Sequence, residues 1–328
     1  MEKLKEALYY EKIRDKKVKC HLCPHGCIIV DGNLGFCKAR QNKNGVLYTL
    51  NYGKVSSYAY DAIEKKPLYH FYPGSKIFSI GTFGCNLECS FCQNWEIAHS
   101  NPATVEISDG DILKLAKSNS SIGVAYTYNE PSIWYEYILN MSKKVKDEGL
   151  KNVYITNGYI EKEPLKRLLP YIDAMNIDLK SIDDEFYKGL CKGSLEPVLE
   201  TIKLSKEKTL IEVTTLLIGS KNDSVEKIRE IAKWLSSIDK NIPLHLTRYH
   251  PAFKMDVPST SYDSLLNAKN EAIKYLNYVY IGNVWGADAN TYCPECSTKL
   301  VERNYSIELI GIEDNKCTNC GYNIRLKY

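Results

Sequence analysis

Three cysteines stand together in Cys85-Asn86-Leu87-Glu88-Cys89-Ser90-Phe91-Cys92, a C-x3-C-x2-C spacing. Three thiolates on one loop can hold three irons of a four-iron cubane and leave the fourth open, whereas electron-transfer clusters use four cysteines. An open iron is useful when something other than an electron must bind there. The competing use of such a trio is a zinc site completed by a distant residue, since zinc also takes three cysteines and a histidine.

Nine further cysteines complete a total of twelve. Cys293, Cys296, Cys317 and Cys320 form C-x2-C-x20-C-x2-C, a tetrahedral four-thiolate pattern that reads most simply as a zinc ribbon, with a single rubredoxin-like iron as the alternative. Cys20, Cys23, Cys27 and Cys37 are spaced C-x2-C-x3-C-x9-C. Here zinc, with His21 or His25 replacing a cysteine, competes with a second iron–sulfur cluster that relays electrons to the central one. Cys191 is solitary and reads as a buried or incidental thiol. Twelve cysteines without an export signal point to a reducing compartment, where thiolates bind metals rather than pairing as disulfides, so a cytoplasmic location is expected.

Elements must position the central trio. From Ser75 onward, short apolar runs alternate with helical periodicity. The strand candidates are Ile77 to Ile80, Ile122 to Tyr126, Asn152 to Ile155, Ala174 to Ile177, Leu210 to Leu216, Pro243 to Thr247 and Tyr278 to Ile281; Ser132 to Lys146 and Val225 to Trp234 are helical. Repeated strand–helix units predict an α/β fold with a mainly parallel sheet, as a partial (β/α)6 TIM-type barrel whose strand carboxyl ends carry the chemistry. A doubly wound sheet is the competing layout. Residues 1–74 are expected to form an amino-terminal four-cysteine module, 75–290 the barrel, and 291–328 a zinc-ribbon or rubredoxin-like module. The first 17 residues read as a short amphipathic helix.

Hydrophobic content of 44% and charged content of 25% are those of a globular protein, and 328 residues allow one large domain with appendages. No run of about 18 uncharged apolar residues occurs, so no membrane span is expected. Forty-three basic residues against 40 acidic ones leave a net charge of +3, too even to indicate nucleic-acid binding on its own.

The trio, with Phe91 at the aromatic position and a strand just before it, resembles the radical S-adenosylmethionine superfamily, whose motif is C-x3-C-x-aromatic-C. The resemblance spans about residues 75 to 285. Tyr128-Asn129-Glu130-Pro131 resembles the family's Gly-Gly-Glu-Pro segment with both glycines replaced and the glutamate kept; Thr156-Asn157-Gly158 and Asp178-Leu179-Lys180 follow in the expected order. Over the whole chain, His21 to Cys27, Ile63 to Phe71, Cys92 to Trp95 and Tyr126 to Pro131 look like the AmmeMemoRadiSam-system enzymes, which are related to pyruvate formate-lyase activating enzymes.

That resemblance implies a [4Fe–4S] cluster on Cys85, Cys89 and Cys92, and S-adenosylmethionine on its open iron. It places Phe91 beside the adenine, Glu130 at the methionyl amine through a charge-assisted hydrogen bond, and Lys180, oriented by Asp178, at the methionyl carboxylate. Asn129, Asn157 and His250 join the cofactor site. The plainer readings are a helix cap for Glu130, a solvated pair for Asp178 and Lys180, and a structural hydrogen bond for His250. The resemblance further implies an oxidoreductase-type radical enzyme fed by a flavodoxin- or ferredoxin-like donor. Such an enzyme abstracts hydrogen from a macromolecule, a glycyl-radical enzyme or other protein. Modification of RNA or of a metabolite, with the ribbon as recognition module, is the rival within that chemistry. A non-catalytic zinc-rich binding protein is the rival outside it.

Overall fold

The computed structural model describes residues 4–328. Its centre is one sheet of eight strands: β1 (Ser57–Ala62), β2 (Lys76–Gly81), β3 (Ser121–Tyr126), β4 (Lys151–Thr156), β5 (Ala174–Asp178), β6 (Leu210–Leu217), β7 (Leu244–Arg248) and β8 (Val279–Gly282). They lie side by side in chain order. β1 runs antiparallel to β2, and every later neighbour pair is parallel. Burial on both faces explains the continuous apolar runs of β2 to β8.

Helices α1 (Asp109–Ala116), α2 (Tyr135–Asp147), α3 (Lys162–Leu168), α4 (Glu196–Lys206), α5 (Val225–Asp239) and α6 (Tyr262–Ala272) fill the six crossovers. In α2, Ile138, Met141, Ser142 and Val145 face inward at helical spacing while Lys143 and Lys146 stay out. Ser108, Ser224 and Ser261 cap α1, α5 and α6 by accepting from the third backbone amide of each helix. Each such cap contributes about 1 kcal/mol. The seven parallel strands coincide with the seven strand candidates and six helices join them; the antiparallel edge strand was not expected. That edge strand lies within residues 1–74, and its pairing from Ser57↔Gly81 to Ala62↔Lys76 ties this part of the amino-terminal segment to the central sheet.

The expected amino-terminal helix is corrected. Lys5–Glu6 pairs with Tyr48 and Thr49, and Tyr10–Lys12 pairs with Val18–Cys20, both antiparallel. Left-handed backbone at Tyr9, Asp15 and Lys16 ends any helical path there. Residues 1–3 of that expected helix lie outside the described residues.

The carboxyl-terminal segment folds as a three-stranded sheet and a two-stranded ribbon around its own small core of Leu300, Val301, Ile324 and Leu326. It docks where the chain enters β2: Tyr72 N donates to Lys327 O (2.6 Å), Lys327 N to His70 O (3.0 Å), and Arg303 Nη2 to Tyr69 O (2.6 Å). No described helix is long and apolar enough to cross a membrane.

Candidate active site

At the opposite end, where β2 to β7 finish, a cavity of ≈ 280 Å³ opens. Cys85, Cys89 and Cys92 line it from the loop after β2, with Phe91 between them. This loop is held in place by two elements. Asn129, after β3, accepts from Thr82 N (3.1 Å) and donates to Gly84 O (2.8 Å). From the other side, Glu88 N and Ser90 N donate to the carbonyls of Cys191 (2.8 Å) and Leu190 (2.9 Å), in a one-turn π-helix spanning Tyr187–Cys191. Cys191 is fully buried, and its thiol lies close enough to Cys89 for the two to perturb each other. It is thus a neighbour of the trio rather than incidental. No sequence signal marks it, because the contact comes from a loop one hundred residues away.

Glu130 lines the same cavity, 3% exposed. Its Oε1 accepts from Ser132 N (2.9 Å) and Thr156 Oγ1 (2.7 Å), and its Oε2 from Asn157 N (2.7 Å). It therefore caps the turn that begins at Pro131 and faces the cavity as well, so the plain reading and the functional one coexist. Burial raises its carboxyl above the ordinary range despite those donors. Asn157 Nδ2 reaches Asn86 Oδ1 (2.9 Å) and lies 3.8 Å from Cys85 Sγ. Lys180 and Asp178 pair at 2.9 Å on the cavity wall. Burial alone would lower the Lys180 ammonium; Asp178 and the thiols of Cys89 and Cys191 outweigh it and hold it well above its ordinary value.

His250 is not brought in. It is exposed, lies outside the cavity lining, and its Nδ1 meets Ser259 Oγ at 3.1 Å; its carbonyl accepts from Gln93. Thr247, three residues earlier in the same run, lines the wall, as does Thr214, which was missed from sequence and whose buried Oγ1 has no protein partner. A lone threonine within a strand carries no motif that could have found it.

Burial, and then Glu130, holds the Cys85 thiol well above its usual range, and burial pushes Cys92 up to about 11. Cys89 is lowered, first by its contact with Cys191. Buried thiols of this kind become thiolates only beside compensating positive charge, which iron supplies. Three soft donors, an unsatisfied hydroxyl, one buried carboxylate and one ammonium around a single void fit a three-cysteine cluster that binds a zwitterionic cofactor.

At the carboxyl terminus, Cys293 Sγ lies 3.6 Å from Cys320 Sγ, and Cys296 Sγ 3.6 Å from Cys317 Sγ. All four sulfurs are within 4.8 Å of one another. Zn–S bonds of about 2.3 Å in a tetrahedron place sulfurs about 3.8 Å apart, so the set matches one metal ion.

Comparison with known proteins defines the class. The Radical SAM superfamily profile matches residues 79–235, the stretch that holds the trio. The fold is shared with Streptococcus suis SuiB bound to S-adenosylmethionine (TM-score 0.51, 16% identity, 63% of this chain and 51% of that one) and with a radical SAM methyltransferase from Sphaerobacter thermophilus (TM-score 0.50, 15% identity, 68% and 71%). An uncharacterized Methanocaldococcus jannaschii protein is 46% identical over 98% of this chain and 99% of its own length. A second protein of that organism, assigned in name only to the glycyl-radical enzyme activating enzymes, is 30% identical over 60% of this chain and 77% of its own. The pyruvate formate-lyase-activating enzyme of Clostridium pasteurianum is 26% identical over 51% and 72%. The chain belongs to the radical SAM superfamily, and activating enzymes of glycyl-radical systems are among its relatives.

Proposed function

We propose that this chain is a radical enzyme of the activating type, which abstracts hydrogen from a protein substrate. The observation that carries the reading is the convergence of Cys85, Cys89 and Cys92 with Glu130 and the Asp178–Lys180 pair on one cavity. A cluster on the three cysteines and S-adenosylmethionine together supply a 5′-deoxyadenosyl radical by one-electron reductive cleavage. The remaining work belongs to this chain's side chains. Glu130 receives the cofactor's ammonium, Lys180 its carboxylate, and Phe91, packed against Phe186 at 5.8 Å between ring centroids, gives the adenine an apolar wall. Asn129 and Asn157 hold the cysteine loop and Glu130 in register.

A protein substrate is favoured over the ribbon-guided RNA reading because the carboxyl-terminal ribbon sits at the strand amino ends, across the sheet from the cavity. A recognition module so placed does not face the reacting atoms. The names of the activating-enzyme relatives support the same choice. The test is anaerobic reconstitution with iron and sulfide, then reduction by a flavodoxin- or ferredoxin-class donor with S-adenosylmethionine. Release of 5′-deoxyadenosine is expected from the parental chain and not from Cys89→Ala. With a glycine-containing protein substrate, deuterium at the glycine α-carbon should appear in the 5′-deoxyadenosine. An intact cluster on the trio that never binds the cofactor sinks the reading.

A further inference from the structure

The amino-terminal cysteines differ from the carboxyl-terminal ones in a way that bears on what they hold. Cys20, Cys23 and Cys37 are buried and Cys27 half-buried. They converge across a hairpin and the turn that follows: Cys20 ends the strand Val18–Cys20, its amide donates to Cys27 O (2.9 Å), and Cys37 lies in the next turn. The two histidines that sequence offered as substitutes each use Nε2 in another contact. His21 Nε2 pairs with Glu11 at 3.2 Å on the surface, and His25 Nε2 meets Asn86 O at 2.7 Å. Four free thiols are present for ligation.

Yet among the described residues only the carboxyl-terminal set brings three or more ligand atoms all within 4.8 Å of one another. A single tetrahedral ion needs its sulfurs about 3.8 Å apart. A cubane binds each sulfur to a different iron and so spreads them wider. The central trio, whose family motif is a cluster motif, likewise is not such a group. In addition, Arg40, 1% exposed, donates from Nη1 to Cys20 Sγ at 3.6 Å, an N–H to sulfur contact of the kind that tunes clusters.

The group also touches the catalytic loop. Gly84, with φ +87°, has no room for a side chain, because a Cβ there would stand 2.5 Å from the carbonyl oxygen of Cys37. Gly84 is the residue before Cys85. His25 contacts the same loop at Asn86, two residues beyond Gly84.

We propose that Cys20, Cys23, Cys27 and Cys37 ligate a second, fully coordinated iron–sulfur cluster that passes electrons to the trio. Each transfer takes one electron from an external low-potential donor of the flavodoxin or ferredoxin class and passes it to the cluster that Cys85, Cys89 and Cys92 would hold, which is reduced by one electron as the second cluster returns to its starting oxidation state.

The deciding variant of the full chain is Cys85→Ala/Cys89→Ala/Cys92→Ala, reconstituted anaerobically with ferrous iron and sulfide. Because the trio is absent from it, the result does not depend on the function proposed above. About four irons and four sulfides are expected to remain, against about eight of each in the parental chain. A variant with no acid-labile sulfide and two zinc ions, one for each four-cysteine set, overturns the proposal. Low-temperature electron paramagnetic resonance of the reduced parental chain tests the contact. Lines broadened by spin coupling, and sharpened in the variant, are expected; two independent superposed signals overturn the relay.

Discussion

Glu130 is the residue on which positioning and chemistry converge. Its three donors come from two elements, the turn after β3 and the end of β4, so its charge also joins those strands. Glu130→Gln removes the charge and turns one acceptor oxygen into an amide donor that faces existing donors. A buried hydrogen-bond mismatch of this kind costs about 1–3 kcal/mol. S-adenosylmethionine affinity is expected to fall at least about tenfold, since a charge-assisted bond to the ammonium is lost. Thermal unfolding and equilibrium cofactor binding on the same reconstituted sample separate the two effects. A variant that melts lower but binds with parental affinity would leave Glu130 with a capping role only.

At the scale of elements, the β2 loop has little regular structure and depends on its neighbours for shape. Asn129 grips it through both ends of one amide, at Thr82 and at Gly84. Asn129→Ala is therefore expected to lower iron retention at the trio severalfold while far-ultraviolet circular dichroism stays parental, and iron content after desalting checks this. Unchanged iron would mean that the Tyr187–Cys191 turn alone supports the loop. This division also explains what the sequence made legible. The parallel strands showed as short apolar runs because both of their faces are covered, and the cysteine motif and Glu130 showed because their spacing is local. β1 did not show, since its residues are half-exposed and carry no apolar run. The amino-terminal segment looked helical from its charge pattern, but a local hairpin with Val18–Cys20 and pairing with the distant Tyr48 and Thr49 decided its form. Cys191 and Thr214 reach the site through tertiary packing alone.

For the whole molecule, the joint between sheet and ribbon rests on a buried polar network at the strand amino ends. Glu212 Oε1 accepts from His70 N (2.7 Å), its Oε2 meets His245 Nε2 (2.6 Å), and His70 Nε2 meets Tyr280 OH (2.8 Å). Tyr280 OH continues to Thr291 Oγ1 (2.9 Å), which accepts from Arg303 Nη1 (2.8 Å) on the ribbon side. Burial, helped by the charge of Arg303 and opposed by Glu212, lowers His70 from 6.5 to about 4. Burial would raise Glu212, but its contacts with His245 and His70 prevail and lower it. Both shifts carry the same sign. Below pH 6.5 the unfolded chain takes up a proton at His70 that the folded chain refuses, so stability present above pH 6.5 is lost as pH falls toward about 4. Glu212 adds to the loss at the acidic end of that window. The His70 contribution is about 3 kcal/mol when complete. Denaturant unfolding of His70→Gln should start less stable at pH 7.5 and show a flatter decline between pH 6.5 and 4 than the parent. Parallel declines would mean that the network titrates elsewhere. The cavity lies at the other end of the sheet, so the cluster's absorption should persist at the pH where the ribbon first loosens.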